Sequence, residues 1–328
     1  MLRTARPRLS EIQAPVRERL DTVFEEIRRI VVADFGMVAE VTDYLLKVRG
    51  KLFRPTLTLL CNEVGGRAHR DAETLAAVLE LVHLATLVHD DAVDHSVLRR
   101  GMPTVNSVWS HQVAIIMGDY LYTRALTEIT RLGAVEPIRV LADAANAMTV
   151  GEMRQLASHD ALDFGEDDYY RLIASKTASL MSAACELGAI SGQPEHRDAL
   201  ARFGHELGMA FQIADDLLDY TADEAVTGKP TGLDLREHKV TLPLIAVLPA
   251  LTAGERDEVD ALFRDPEPSD ERIAGVVRIV RARGGLEYAR GTALEYARRA
   301  EEALEGLPEG AAPDALRTSI AYAIERRR

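Results

Sequence analysis

Three aspartates at the end of an apolar segment are the first residues whose types and spacing suggest chemistry. Asp90, Asp91 and Asp94 follow an almost wholly apolar stretch that begins at residue 75. On a helix, Asp90 and Asp94 share one face and Asp91 lies beside them. Like charges this close repel strongly where burial limits screening, and a divalent cation would relieve the repulsion. Alone, the motif is equally compatible with a surface helix that has an acidic end.

A second copy of the motif favours the metal interpretation. Asp215, Asp216 and Asp219 repeat the same spacing at the end of another apolar segment. Two such helices facing each other across a cavity could hold hard cations through carboxylate oxygens. Magnesium keeps several waters and is commonly bridged by substrate phosphates. The pair of clusters therefore predicts a magnesium site for a phosphorylated substrate.

Several cations lie where they could bind the phosphates. Lys51 and Arg54 stand at a turn opened by Gly50, just before a predicted helix N-terminus, which favours anions. Arg99 and Arg100 follow the first aspartate cluster through a short loop.

Three lysines add to this set of cations. Lys176 lies among small and apolar residues, where its charge needs a partner unless the side chain reaches solvent. Lys229 and Lys239 follow the second cluster. Carboxylates, metal and cations together indicate diphosphate chemistry.

Composition limits the class of protein. The 328 residues carry a net charge of −13, which disfavours a nucleic-acid partner and gives no long-range attraction to an anionic membrane. Cys61 and Cys185 lie in apolar runs without metal-ligand spacing, as expected of a reduced, cytoplasmic protein. No uninterrupted apolar run reaches the ~18 residues that indicate a membrane span, and we expect none.

Apolar periodicity predicts helices throughout, and 47% hydrophobic residues with 5% aromatics suit an all-α core. We expect one all-α domain over residues 1–328, a helical bundle with a flexible N-terminal arm at 1–10. Loops are expected at 99–106, 221–234 and 265–271. The predicted helices cover residues 11–33, 37–48, 55–64, 71–93, 107–131, 136–159, 167–190, 196–220, 241–251, 272–306 and 313–326.

Five segments resemble the trans-isoprenyl diphosphate synthases, or polyprenyl synthetases. In order between residues 50 and 245 they read GKLFRP, ELVHLATLVHDDAVDHSVLRRGMP, GDYLYTRAL, SKTASL and FQIADDLLDYTADEAVTGKPTGLDLREHKVTLPL. The resemblance implies an all-α fold around a deep central cavity, usually in a homodimer. It implies condensation of an allylic diphosphate with isopentenyl diphosphate, using Mg²⁺, with three ions when substrate is bound.

The resemblance also implies roles for individual residues. The implied magnesium ligands are Asp90, Asp94 and Asp215, supported by Asp91, Asp216 and Asp219. The implied isopentenyl diphosphate site is Lys51, Arg54, His83 and Arg100, although a histidine at position 83 would otherwise be read as a core residue. The implied allylic diphosphate site is Arg99, Lys176, Lys229 and Lys239, with Thr177 and Gln212 at the reaction centre.

Two positions depart from the family pattern. Asn106 stands where many members have histidine. His238 replaces the usual glycine before Lys239, which puts the backbone path there in question.

Product length should depend on how far the cavity extends along the helix that leads to Asp90. Ala85 and Thr86 are small where short-chain members carry aromatics, and Val82 and Leu81 have no rings either. Met117 and Tyr120 could form a deeper floor. The segments HLATLVHDD and GDYLYTRAL most resemble the long-chain class that supplies quinone side chains. This resemblance implies a product of about eight isoprene units (C40), released with at most loose membrane contact.

Three other functions stay open. A geranylgeranyl or farnesylgeranyl diphosphate synthase is the shorter-chain alternative. A non-catalytic partner subunit would be expected to have damaged aspartate clusters, which are intact here. A class I terpene cyclase normally mixes Asn, Ser or Thr with Glu in its second metal motif, unlike the second cluster here.

Overall fold

Helices make up almost all regular structure in the computed structural model, which describes residues 7–47, 49–66, 68, 71–99, 101–157, 161–221 and 232–325. The all-α prediction is confirmed. In the first half the helices are α1 (Leu9–Ile12), α2 (Arg17–Ile30), α3 (Gly36–Leu46), α4 (Phe53–Asn62), α5 (Asp71–Val93), α6 (Val105–Val108), α7 (His111–Arg131) and α8 (Val135–Ala157).

The second half continues the same architecture. Its helices are α9 (Glu166–Ile173), α10 (Ser179–Gly192), α11 (Arg197–Thr221), α12 (Leu233–Arg236), α13 (Leu242–Ile245), α14 (Ala253–Arg264), α15 (Asp270–Ala282), α16 (Gly285–Ala303) and α17 (Ala311–Ile324). A π-helix (Ala174–Ala178) joins α9 directly to α10. Short 3₁₀ turns lie at Ala14–Val16, Ala161–Asp163, Pro194–His196 and Leu248–Ala250.

The predicted loop after the first aspartate cluster contains a small hairpin. Strand β1 (Leu98–Arg99) pairs antiparallel with β2 (Met102–Pro103) around Gly101, whose φ of +78° suits glycine. This hairpin turns the chain back so that Arg99 points toward the end of α5.

Helix α5 lies at the centre of the fold. It packs against α2, α4, α7 and α10, and most of its residues are buried. By length and composition alone it could cross a membrane, but 56% of its most apolar window is buried inside the protein. A core helix of a helical bundle passes the same test, so α5 is only weak support for a membrane span.

Buried apolar side chains form two clusters that share helix α11. The first surrounds α5 and includes Phe203 and Leu207 from the first half of α11. The second includes Ile213 and Leu217 from the end of α11, packed with α9 and α13–α15. Helix α11 therefore runs through both clusters before it reaches the second aspartate motif. The single-domain prediction for residues 1–328 stays a prediction.

Several predicted boundaries are wrong. Residues 167–190 are helical throughout, as predicted, but a π-helix lies between their two α-helical parts. Residues 272–306 are divided at Gly284, which has a φ of +80°. Only one α-helical turn lies within 241–251. Helix α14 was not predicted, although Thr252 and Glu255 form a capping box at its start. Residues 1–6 of the predicted arm lie outside the described residues, and α1 already begins at Leu9.

Candidate active site

The first aspartate cluster occupies the C-terminal end of α5. Both carboxylate oxygens of Asp91 accept from Arg99 Nε at 2.8 Å, so this buried aspartate is paired within the protein. Burial raises the pKa of Asp90, an effect that nearby Lys176 opposes. The described residues donate no hydrogen bond to the side chains of Asp90 or Asp94, and Asp94 is exposed. Asp90 and Asp94 are therefore the members best placed to meet a ligand.

The second cluster lies at the end of α11. Asp216 is buried and accepts from Tyr169 Oη at 2.6 Å and from Gln212 Nε2 at 2.8 Å. Burial, assisted by Asp234, raises the pKa of Asp216 to about 8. Asp215, in contrast, is exposed.

Asp219 is engaged with the backbone that follows the second cluster. Its two carboxylate oxygens accept from the backbone N–H groups of Leu233 and Asp234, each at 3.0 Å. These residues form the first turn of α12, where an acceptor satisfies helix N–H groups that lack an intrahelical partner. In this arrangement Asp219 orders the chain at the start of α12.

A hydrogen-bonded row connects Asp216 to the predicted reaction centre. Gln212 Nε2 donates to Asp216, so the Gln212 carbonyl oxygen faces the other way. That oxygen accepts from Thr177 Oγ1 at 2.7 Å. The arrangement fixes the orientation of the Gln212 amide and brings together Thr177 and Gln212, the two residues that the family resemblance implies at the reaction centre.

The two described lysines of the predicted allylic site are both ion-paired. Lys176 lies on the π-helix, a feature that often occurs at functional sites, and pairs with Glu152. Lys239 pairs with Glu237 at 2.7 Å. Burial opposes the charge of Lys239, but Glu237 and Asp94 together raise its pKa. Lys239 thus lies near the first aspartate cluster.

The unusual residue before Lys239 does not disturb the backbone. His238 has a φ of +54°, the left-handed conformation that glycine adopts easily. The ring nitrogen Nε2 lies 2.9 Å from the carbonyl oxygen of Asp265, and the ring packs against Phe263. Lys239 N donates to Asp234 O at 2.8 Å. A histidine in this position therefore keeps the turn that the family glycine was expected to provide.

The predicted isopentenyl diphosphate residues meet at the start of α4. Arg54 Nη1 donates to His83 Nε2 at 3.0 Å, which joins α4 to α5. Phe53 stacks on Phe211 of α11, with ring centroids 5.8 Å apart. Lys51 is exposed. Arg100 and Lys229 lie outside the described residues.

A cavity of about 580 Å³ brings residues of both clusters to one place. It lies between α8, the π-helix, α11 and the segment from Asp234 to Thr241. Its lining includes one member of each aspartate cluster and both ion-paired lysines: Asp94, Asp216, Lys176 and Lys239, together with Thr177 and Gln212.

The predicted chain-length residues do not line this cavity. Val82, Ala85 and Met117 are at most 2% exposed and are packed in the core. Thr86 is partly exposed on the same face of α5 as Asp90, and its hydroxyl donates to His83 O. The Tyr120 hydroxyl donates to the carbonyl oxygens of Val31 and Val32. Of these positions, Thr86 is the best placed to meet a growing chain.

The cavity is also lined by six polar residues that sequence analysis did not single out: Glu152, Gln155, Tyr169, Asp234, Glu237 and Thr241. Burial and Asp219 raise the pKa of Asp234 to about 7. Asp234 lay within a quoted motif and could have been proposed. Glu152, Gln155 and Tyr169 reach the site through packing of α8 and α9, for which the sequence offered no signal.

The carboxylates suit a hard cation that takes some of its ligands from the protein and the others from the substrate. Within the described residues, no group of three or more Asp, Glu, His or Cys side chains forms a ready-made metal site. Asp94 instead offers a carboxylate to the cavity, and Asp90 lies one helical turn before it at the end of α5. Magnesium commonly binds through one or two carboxylates plus waters and phosphate oxygens. The residues present therefore fit magnesium when a diphosphate completes its coordination.

Comparison with known proteins identifies the family of the chain. Residues 36–280 match the Polyprenyl synthetase family model. The all-trans-nonaprenyl-diphosphate synthase (geranyl-diphosphate specific) of Rhodobacter capsulatus is 37% identical over 318 residues, 96% of this chain and 97% of the relative. The octaprenyl diphosphate synthase of Escherichia coli is 36% identical over 300 residues, 90% of this chain and 92% of the relative.

A solved structure extends the similarity to the fold. The polyprenyl synthase of Caulobacter crescentus, complexed with calcium and isoprenyl diphosphate, superposes with a TM-score of 0.92 at 30% identity, covering 99% of this chain and 100% of that structure. The fold and the paired aspartate motifs define a prenyltransferase. This chain belongs to the polyprenyl synthetase family, as the sequence motifs indicated.

Proposed function

We propose that the protein is a magnesium-dependent all-trans polyprenyl diphosphate synthase that makes a product of about eight isoprene units. The observation that carries this proposal is the convergence of the two aspartate-ended helices, Lys176 and Lys239 on one cavity. The reaction joins C4 of isopentenyl diphosphate to C1 of an allylic diphosphate. The allylic C1–O bond breaks, the new C–C bond forms, and a proton leaves to the released diphosphate.

The chain's own residues supply binding and electrostatics. Lys176 and Lys239 bind the allylic diphosphate and stabilise the charge that grows as it departs. The dipoles of Gln212 and Thr177 face the allylic cation. Arg54 and His83 hold the second diphosphate. Asp90, Asp94 and Asp215 would hold magnesium, which would supply Lewis-acid stabilisation of the leaving group. No side-chain nucleophile is needed.

The hydrogen bonds sharpen the roles proposed for the remaining residues. Asp91, Asp216 and Asp219 have both carboxylate oxygens engaged by Arg99, by Tyr169 and Gln212, and by the α12 backbone. We therefore assign them to support of the metal site, as the family resemblance implied. Before Arg99 contacts the allylic diphosphate, it holds the side chain of Asp91 in place.

A homodimer is part of the proposal. Helix α7 exposes Ile115 and Ile116, which are 41% and 62% exposed, and the nearby α2–α3 turn exposes Val32 and Phe35 at 68% and 63%. Apolar residues grouped on one surface favour association with another surface. Sedimentation should show a dimer that Ile116→Asp weakens. A wild-type monomer at micromolar concentration would contradict it.

We place the enzyme in the cytoplasm, with at most transient membrane contact during product release. The free, buried thiols of Cys61 and Cys185 agree with a reducing compartment. Cell fractionation with a membrane-protein control tests this placement.

The decisive experiment is incubation of the pure protein with Mg²⁺, isopentenyl diphosphate and geranyl or farnesyl diphosphate, followed by sizing of the products. Products near C40 are expected. A C20 or C25 limit would support the geranylgeranyl or farnesylgeranyl alternative, and a C15 limit would contradict the long-chain proposal. Diphosphate binding without turnover would support the non-catalytic partner, and a cyclic hydrocarbon would support a cyclase.

A further inference from the structure

Lys176 is held by two acceptors from a neighbouring helix. Its ammonium pairs with Glu152 and donates to Gln155 Oε1 at 3.2 Å. Both acceptors belong to α8 and lie one turn apart. Neither Glu152 nor Lys176 is fully withdrawn from solvent, with side-chain exposures of 21% and 31%. The pair therefore lies where an incoming ligand can reach it.

The backbone is built to bring these two residues together. A Cβ atom on Gly151 would lie 2.6 Å from Ser175 Cβ and 3.7 Å from Lys176 Cγ. Any larger residue at position 151 would push α8 away from the π-helix. Because the π-helix also alters the direction of side chains relative to a regular helix, the Glu152–Lys176 contact depends on both features.

Glu152 places negative charge next to a site that must bind an anion. Asp90 is influenced by both members of the pair: beyond the effect of burial, Lys176 lowers the pKa of Asp90 and Glu152 raises it. A diphosphate bound by Lys176 therefore lies close to the Glu152 carboxylate. No other cation among the described residues pairs with Glu152 to neutralise it.

We infer that Glu152 is a positioning residue that competes with diphosphate for Lys176. Before binding, it holds the lysine in place over the cavity. After reaction, it takes the lysine back and so favours departure of the diphosphate. The inference rests on the role of Lys176 in the proposed function.

The test is calorimetric binding of inorganic diphosphate in the presence of Mg²⁺. Glu152→Gln keeps the shape and an acceptor oxygen but removes the charge, and should bind diphosphate about fivefold more tightly. That factor corresponds to about 1 kcal/mol, at 1.4 kcal/mol per tenfold, the upper range for a partly exposed charge pair. Steady-state turnover should fall if release limits the rate, while the single-turnover rate stays unchanged.

Two further variants separate charge from structure. Glu186 is 21% exposed, as Glu152 is, and it pairs with Arg197 outside the cavity. Glu186→Gln therefore removes a comparable carboxylate and should leave the affinity for diphosphate unchanged. Glu152→Asp keeps the charge and should stay within about twofold of wild type. Unchanged or weaker binding by Glu152→Gln overturns the inference, as does equal tightening by Glu152→Asp. If wild type itself binds no magnesium diphosphate, the proposed function fails instead.

Discussion

Replacement of Thr86 by phenylalanine should stop chain growth early. Thr86 lies four residues before Asp90 on the same face of α5 and is partly exposed. Its hydroxyl donates to His83 O at 2.8 Å, within the same helix. A ring at this position should therefore displace neighbouring helices less than a ring at the buried position 85 would.

The expected product length follows from two distances. Four helical residues span about 6 Å along the axis. One isoprene unit adds four chain bonds, roughly 4–5 Å when extended. A ring at position 86 thus meets the tail within about two units of the diphosphate head, so the expected product is C10 to C15 instead of C40.

Ala85→Phe should also shorten the product, but at a cost in stability. Ala85 is only 2% exposed, so a ring there must displace packed neighbours. Overpacking of this kind typically costs about 1–3 kcal/mol. We therefore expect a lower melting temperature for Ala85→Phe than for Thr86→Phe.

The assay is mass spectrometry of products made from geranyl diphosphate and isopentenyl diphosphate, with circular dichroism to confirm folding. Thr86→Val replaces the hydroxyl by a methyl group, which adds little volume, and this variant should keep the wild-type product length. A folded, active Thr86→Phe enzyme that still makes the full-length product would refute the assignment of this face of α5 to the tail.

Three further predictions concern the metal site and the turn near it. In magnesium-free buffer, burial raises the pKa of Asp216 from 3.8 to about 8. The folded state therefore binds the proton of Asp216 more tightly than the unfolded state does. This contribution to stability is complete at low pH and is lost as the pH rises from about 4 to 8. Over that pH range the melting temperature of Asp216→Asn should fall less than that of the wild-type protein. Parallel curves of melting temperature against pH for the two proteins would contradict the prediction. Asp90→Asn, or chelation of the metal, should lower turnover at least about a hundredfold while the protein stays folded; full activity in excess chelator would rule out the metal. His238→Gly should leave the free energy of unfolding in denaturant nearly unchanged, because relief of about 1 kcal/mol of backbone strain offsets a lost hydrogen bond. His238→Val should lower the free energy of unfolding by about 1–2 kcal/mol. Equal stability of the two variants would argue against backbone strain at position 238.

The elements that carry the aspartates were predictable because their signals are local. Helix α5 begins and ends at the predicted residues 71 and 93, since its apolar run is uninterrupted by glycine or proline. The π-helix was not predictable, because its extra residue leaves no mark in hydrophobic periodicity. The division at Gly284 could have been found from the Gly284–Gly285 pair.

Contacts across the cavity were harder to foresee than the motifs. Tyr169 and Asp216 are 47 residues apart, and only helix packing joins them. The same is true of Glu152 and Lys176. Sequence patterns indicated which residues carry charge, but not which of those charges are already paired inside the protein.

The way Asp219 holds the start of α12 has a consequence for how this enzyme could be altered. Its backbone carbonyl accepts from Gly232 N at 2.9 Å, and its carboxylate holds the next two N–H groups. Helix α11 ends at Thr221, and the chain is held against this helix again from Gly232 onward. Substitutions in the segment that carries Lys229 should therefore change diphosphate binding without loosening the contact between α11 and α12.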